Sequence, residues 1–282
     1  MSVFKFLSAL NIFLSIVASV GNALILASLH KETSLHPPTK LLFRCLAVTD
    51  LCVGVIVQPF GAVLRLLSAK SYWKNISNLH GVHQALSFTL CGVSVLTSSA
   101  ISVDRLQALL SGLRYRHVVT LPRVRACIIC VWLISLSCGS MFFWKNEIAF
   151  TVAFVLAITS VSTSVFSYTK IYRKLRQHQL QVHTALPGQS VPLNITLYKK
   201  SVSSVLWVQL ALGICYIPFI VVVMLMTYGR VPGKQLETIL DVVTTLTYLK
   251  SSLNPILYCW RIRAVRQAAK ETIKNLICFK SV

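Results

Sequence analysis

The chain has 282 residues, 55% of them hydrophobic and only 12% charged, with a mean hydropathy of +0.69. A water-soluble domain of this size needs far more charge on its surface, so that class is excluded and an integral membrane protein is expected. The formal net charge of +21 requires no nucleic acid; it is read as topology plus attraction to anionic membrane lipids.

Apolar runs long enough to cross a bilayer fall at residues 6–29, 41–67, 80–110, 124–144, 148–172, 202–228 and 236–258. They predict an all-α membrane protein: a seven-transmembrane helix bundle over residues 1–260, then a short amphipathic helix and cytoplasmic tail over 261–282. The first run is too long for the core of a cleavable signal peptide and reads as a retained anchor. Twenty Lys and Arg residues lie in alternate loops and the tail, against seven in the other loops. By the positive-inside rule the N-terminus is then extracellular and the C-terminus cytoplasmic.

The polar loop 173–198 contains Pro187, Gly188 and Pro192 and is expected to be cytoplasmic and mobile. The link between spans four and five is almost absent, essentially residues 145–147. Beyond Tyr258, Ile262, Val265, Ala269, Ile273 and Leu276 recur at helical spacing opposite Arg263, Arg266, Gln267, Lys270 and Lys274, the pattern of a helix lying on the inner leaflet. Cys278 at its end is a candidate lipidation site. Asn75-Ile76-Ser77 is a glycosylation sequon on the extracellular side, whereas Asn194-Ile195-Thr196 faces the cytoplasm and stays bare. All nine cysteines fall in spans or on the cytoplasmic side, so no extracellular disulfide is expected.

The third span organises the rest. About twenty residues without a formal charge end at Asp104-Arg105, a charge pair placed where the helix leaves the membrane. Ser87, Cys91, Ser94, Ser98, Ser102 and Arg105 share one face of the helix, a small and polar stripe that calls for protein neighbours. Asp50 lies in the middle of the second span, where an unpaired carboxylate is costly, and is expected to face Asn22, Ser94, Ser251 and Asn254. Lys250, one turn before Asn254, is within reach of Asp50, and an internal Asp50–Lys250 pair is expected. Pro218 and Pro255 each remove a backbone hydrogen bond in mid-membrane and mark helices able to hinge.

Six strings, one per span and in order, resemble the rhodopsin-like (class A) family of G-protein-coupled receptors. They are Gly21-Asn22, Leu46-Ala47-Val48-Thr49-Asp50, Asp104-Arg105, Trp132, Cys215-Tyr216-Ile217-Pro218 and Asn254-Pro255-Ile256-Leu257-Tyr258. The resemblance implies a receptor that passes binding of an extracellular ligand, whether small molecule, lipid or peptide, to a heterotrimeric G protein. It implies a switch in which Arg105 rests on Asp104 and, on activation, reaches Tyr168, Tyr258 and the G protein. Leu113 of Leu113-Arg114-Tyr115 would dock in the G protein. It also implies that the acid matching Asp50 helps hold sodium in the resting state, a place that Lys250 would fill here. By resemblance Ser87, Cys91, Tyr216, Phe219, Thr244 and Tyr248 line the ligand cleft. His83 and Gln84, one turn higher, are candidates to meet a phosphate or carboxylate, with Arg65 nearby. Glu237 and Asp241 would meet a basic peptide or cap the helix.

The departures from the family pattern are specific. Leu106 replaces the usual Tyr after Asp104-Arg105, and Tyr198-Lys199-Lys200 stands where an acidic latch is common. His80 occupies the usual disulfide position, Ser160 the usual proline of span five, Tyr216 the usual Trp, and Ser87 the ammonium-binding Asp of amine receptors. The missing bridge, missing proline and short loop together are similar to melanocortin receptors, and the missing bridge also to lysophospholipid and cannabinoid receptors.

Two other classes compete. A retinal-binding photoreceptor also has a lysine in its seventh span, but the opsin position is Tyr248; Lys250 is about 200° around the helix and faces away from the cleft. A small-solute membrane transporter usually shows paired repeats and a chain of ionisable groups, and only Asp50 and Lys250 lie at mid-membrane. No cluster of catalytic or metal-ligating residues suggests an enzyme, a metal or another cofactor.

Overall fold

The computed structural model describes residues 2–31, 35–68, 76–144, 146–184, 213–225, 233–261 and 266–267. Its long elements are all helices: α1 (Ser2–Lys31), α2 (Pro37–Cys52), α3 (Gln58–Ser68), α4 (Ile76–Ser111), α5 (Tyr115–Val118), α6 (Leu121–Ser140), α7 (Asn146–Thr184), α8 (Gly213–Leu225) and α9 (Gly233–Arg261). Among the described residues five helices are long and apolar enough to cross a membrane: Lys5–Lys31, Pro37–Leu67, Asn78–Ser111, Leu121–Phe143 and Glu147–Gln177. The described part of the sixth apolar segment, Gly213–Leu225, is shorter. α9 has spanning length at 29 residues and carries five charged residues, Lys234, Glu237, Asp241, Lys250 and Arg261.

The helix starts and stops follow local chemistry. Pro37-Pro38 and Pro122 sit in the first turns of α2 and α6, where a missing N–H costs nothing. Gly112 takes φ +49° in the bend after α4, a backbone region open to glycine. The loop expected at residues 173–198 is corrected in its first part, because α7 runs on to Thr184. Arg173, Lys174, Leu175, Arg176 and Gln177 are good helix formers, and no Pro or Gly interrupts them before Pro187. Apart from residues 261 and 266–267, the expected inner-leaflet helix lies outside the described residues, as do Asn75, Asn194 and Cys278.

The second span is not a plain α-helix. α2 and α3 are joined by a π-helical turn, Val53–Val57, just before Pro59. A proline ring crowds the carbonyl four residues back and supplies no N–H, and a widened turn relieves both. Carbonyls in this turn find side-chain donors: Ser15 Oγ donates to Gly54 O at 2.6 Å and His83 Nε2 to Val57 O at 3.2 Å.

α4 is the central post, packed against α2, α6 and α7, while α1 packs against α2, α3 and α9. The largest apolar cluster gathers at the Ser111 end of α4, where Leu42, Phe43, Leu46, Ile101, Leu106, Val124, Tyr168 and Ile171 meet. Leu106, in place of the family's usual Tyr, is one of its members. Polar side chains join the helices, a stronger tie within a bilayer than apolar contact, which lipid supplies equally well. Asn11 Nδ2 reaches Thr245 Oγ1 at 2.9 Å, Asn22 Nδ2 the Ser251 carbonyl at 3.0 Å, and Ser252 Oγ the Leu14 carbonyl at 3.0 Å. Gly21 permits the close α1–α9 crossing: a Cβ there would stand 2.8 Å from Pro255 Cγ.

Candidate functional site

Three polar arrangements lie along α4. Nearest its start is a cavity of about 670 Å³ between α3, α4, α6, α7, α8 and α9. All eight residues expected at the ligand cleft, Ser87, Cys91, Tyr216, Phe219, Thr244, Tyr248, His83 and Gln84, are on its wall. Ser87 Oγ and the Tyr248 hydroxyl are hydrogen-bonded at 2.9 Å across the cavity. Lys250 is not on this wall, as its angular offset from Tyr248 requires.

Of the phenylalanine cluster at this wall the sequence reading named only Phe219. Phe88 lies 4.3 Å from Phe142, 5.5 Å from Phe150 and 6.0 Å from Phe219, ring centre to ring centre. These residues come from three helices and the turn after α6, and no periodicity within one segment links them.

Arg65, expected beside His83 and Gln84, is itself ion-paired. Its Nε donates to Asp241 Oδ1 at 2.9 Å, tying α3 to α9 at the cavity. Asp241 is therefore ion-paired within the bundle and is not an exposed cap. The side chain of Glu237 lies outside the described residues. His83 uses one ring nitrogen on the π turn and stacks edge-on against Phe60.

Halfway along α4 is the buried polar core. Asp50 Oδ1 accepts from Ser94 Oγ at 2.8 Å and from Ser251 Oγ at 2.9 Å, and Oδ2 accepts from Asn254 Nδ2 at 2.5 Å. Two expectations need correction. Asn22 does not reach the carboxylate; it holds the Ala18 and Ser251 carbonyls, positioning a neighbour of Asp50. Lys250 and Asp50 are not a direct ion pair. The Lys250 ammonium donates to Ser94 Oγ, whose own proton goes to Asp50, so one hydroxyl relays the attraction. Lys250 is 1% exposed and Asp50 fully buried, so each lacks water as an alternative partner.

At the Ser111 end lies the ionic cluster. Asp104 Oδ2 accepts from Arg105 Nη2 at 2.6 Å and Nε at 3.1 Å, and from Thr39 Oγ1 at 3.1 Å. Its Oδ1 accepts from the Tyr115 hydroxyl at 2.6 Å. Thr39 Oγ1 in turn accepts from Arg105 Nη2 at 2.9 Å. Burial, then the bond to Asp104, pushes the Tyr115 phenol up to about 12. Ser102 Oγ donates to the Tyr168 hydroxyl at 3.4 Å, one turn away. The sequence marked Asp104, Arg105 and Tyr168; the roles of Thr39 and Tyr115 carried no signal, because only folding brings α2 and α5 to this point. The side chains of Leu113 and Tyr258 lie outside the described residues.

From Ser87 to Asp104 is about 25 Å along one helix, at 1.5 Å per residue. A membrane bundle with a cavity at one end of its central helix, a buried ionic core below it and a charge cluster at the other end has the build of a transmembrane receptor. The family described as "7 transmembrane receptor (rhodopsin family)" matches residues 21–148 and 137–258, two stretches that overlap at the short link between α6 and α7. The chain therefore belongs to the rhodopsin-like (class A) G-protein-coupled receptors, and is a multi-pass membrane receptor, not an enzyme.

Three relatives illustrate the likeness. The histamine H2 receptor of Cavia porcellus is 27% identical over 93% of this chain and 77% of its own length. The corresponding receptor of Canis lupus familiaris is 26% identical over the same shares. Melanocortin receptor 5 of Bos taurus is 24% identical over 97% of this chain and 85% of its own length.

Proposed function

We propose that this receptor sits in the plasma membrane with its N-terminus outside, as a single seven-span unit over residues 1–260 with a cytoplasmic tail over 261–282. A ligand entering the α4 cavity promotes nucleotide exchange on a heterotrimeric G protein. The single observation that carries this reading is the cluster around Asp104. Arg105, Thr39 and Tyr115 all converge on one buried carboxylate, holding α2, α4 and α5 together. Such a cluster has two discrete arrangements, closed on Asp104 or opened toward an incoming partner, and a ligand shifts their populations by binding one better.

Tyr216, Pro218, Asn254 and Pro255 are the residues through which cavity and foot communicate. Tyr216 is on the cavity wall, Asn254 is bonded to Asp50, and Pro255 interrupts α9 beside Gly21. The loss of one backbone hydrogen bond at each proline leaves these helices able to bend.

The test is a G-protein dissociation panel in cells expressing the wild-type chain or Arg105→Ala at matched surface levels. A signal through one Gα class that changes in the variant supports the switch. Equal signals from both refute it.

A further inference from the structure

Resting on the reading of the α4 cavity as the ligand site, we propose that its ligand is an uncharged, largely aromatic molecule and not an ammonium or a carboxylate. The permanent charges described on the cavity wall are Arg65 and Asp241, which neutralise each other at 2.9 Å, and the wall's two histidines, His80 and His83, have partners of their own. An ion entering the cavity therefore meets no unpaired counter-charge to replace its lost hydration, which is costly in a site of this depth. Ser87 stands where an ammonium-binding acid would be, and its hydroxyl is engaged with Tyr248.

The rest of the wall suits a flat apolar molecule. Phe88, Phe150, Phe154 and Phe219 all line the cavity, and a ring bound beside them would add to the Phe88–Phe150 and Phe88–Phe219 contacts edge-on or offset. Polar groups are few. The Gln84 amide and the Thr244 hydroxyl line the cavity with no hydrogen bond to the described residues, one offering a donor and an acceptor, the other a hydroxyl. They match a neutral hydrogen-bonding group such as a hydroxyl, carbonyl or aryl amine. A mostly apolar cavity with two convergent polar groups is the usual form of a small-molecule site.

Three probes on one anthracene frame and of different charge test the proposal on the full chain in lipid nanodiscs, with empty nanodiscs subtracted. They are 1-aminoanthracene, which is neutral at pH 7.4, the anthracen-1-yl-trimethylammonium ion and anthracene-1-carboxylate. The neutral probe is expected to bind saturably, at least about tenfold more tightly than either ion. Two variants that fill the cavity from different helices, Ala153→Trp and Thr244→Trp, each lose that binding. Asp241→Asn leaves Arg65 without its partner, so affinity for the carboxylate rises at least about tenfold. Tighter binding of the ammonium, failure of all three probes to bind, binding that survives both Trp variants, or no change of the carboxylate in Asp241→Asn overturns the proposal. The readout needs no G protein, so its failure is distinguishable from a failure of coupling in the Arg105 panel.

Discussion

Lys250→Ala removes the buried ammonium that approaches Asp50 through Ser94. Taking one partner from a buried ionic network typically costs about 3–5 kcal/mol because the other charge is left uncompensated. Here Asp50 retains three donors, Ser94, Ser251 and Asn254. The expected cost is therefore nearer the about 1.5–3 kcal/mol of one hydrogen bond to a charged group. The Ala variant also opens space beside the carboxylate, and sodium then becomes its ligand. At a sodium concentration ten times the dissociation constant this restores about 1.4 kcal/mol by mass action. Lys250→Met fills the space without charge, so it carries the same loss and no sodium response. The assay is thermal unfolding of purified receptor in sodium chloride against choline chloride. The expected pattern is a stable, sodium-indifferent wild type, a destabilised and sodium-responsive Ala variant, and a destabilised, indifferent Met variant. A wild type that responds to sodium as strongly as the Ala variant, or an Ala variant as stable as wild type in choline, refutes the reasoning.

Tyr115→Phe deletes a 2.6 Å bond to Asp104 and loosens the closed foot, so basal G-protein signalling should rise at matched surface expression. The phenol's folded value, about 12, lies above its ordinary 10; the raised value means its stabilising bond is intact below pH 10 and is lost as pH rises toward 12. Melting temperature followed over that range should fall more steeply in wild type than in Tyr115→Phe. Gly21→Val places side-chain carbon against the Pro255 ring and should cost about 1–3 kcal/mol by overpacking, seen as reduced surface expression and a lower melting temperature. Gly112→Ala meets no neighbour, yet its φ of +49° should still lower stability by about 1 kcal/mol in the same melt.

Five of the spans and the polar stripe of α4 were legible in the sequence because bilayer thickness and the cost of buried charge act on each segment alone. So was the company of Asp50, since few polar residues lie at mid-membrane and they must find one another. The fate of individual partners was not legible. Arg65 is committed to Asp241, Lys250 reaches Asp50 through Ser94, and Asn22 holds backbone instead of carboxylate, because each outcome depends on a hydrogen-bond geometry of a few tenths of an ångström between helices. The π turn shows a graded case: Pro59 announces a disturbance in the second span, but Ser15 and His83, which satisfy its carbonyls, are known only once α1 and α4 are packed against it. Tertiary structure likewise decided the cavity's character. The phenylalanines that line it are scattered over the chain, and only their convergence makes an aromatic wall whose few charges cancel.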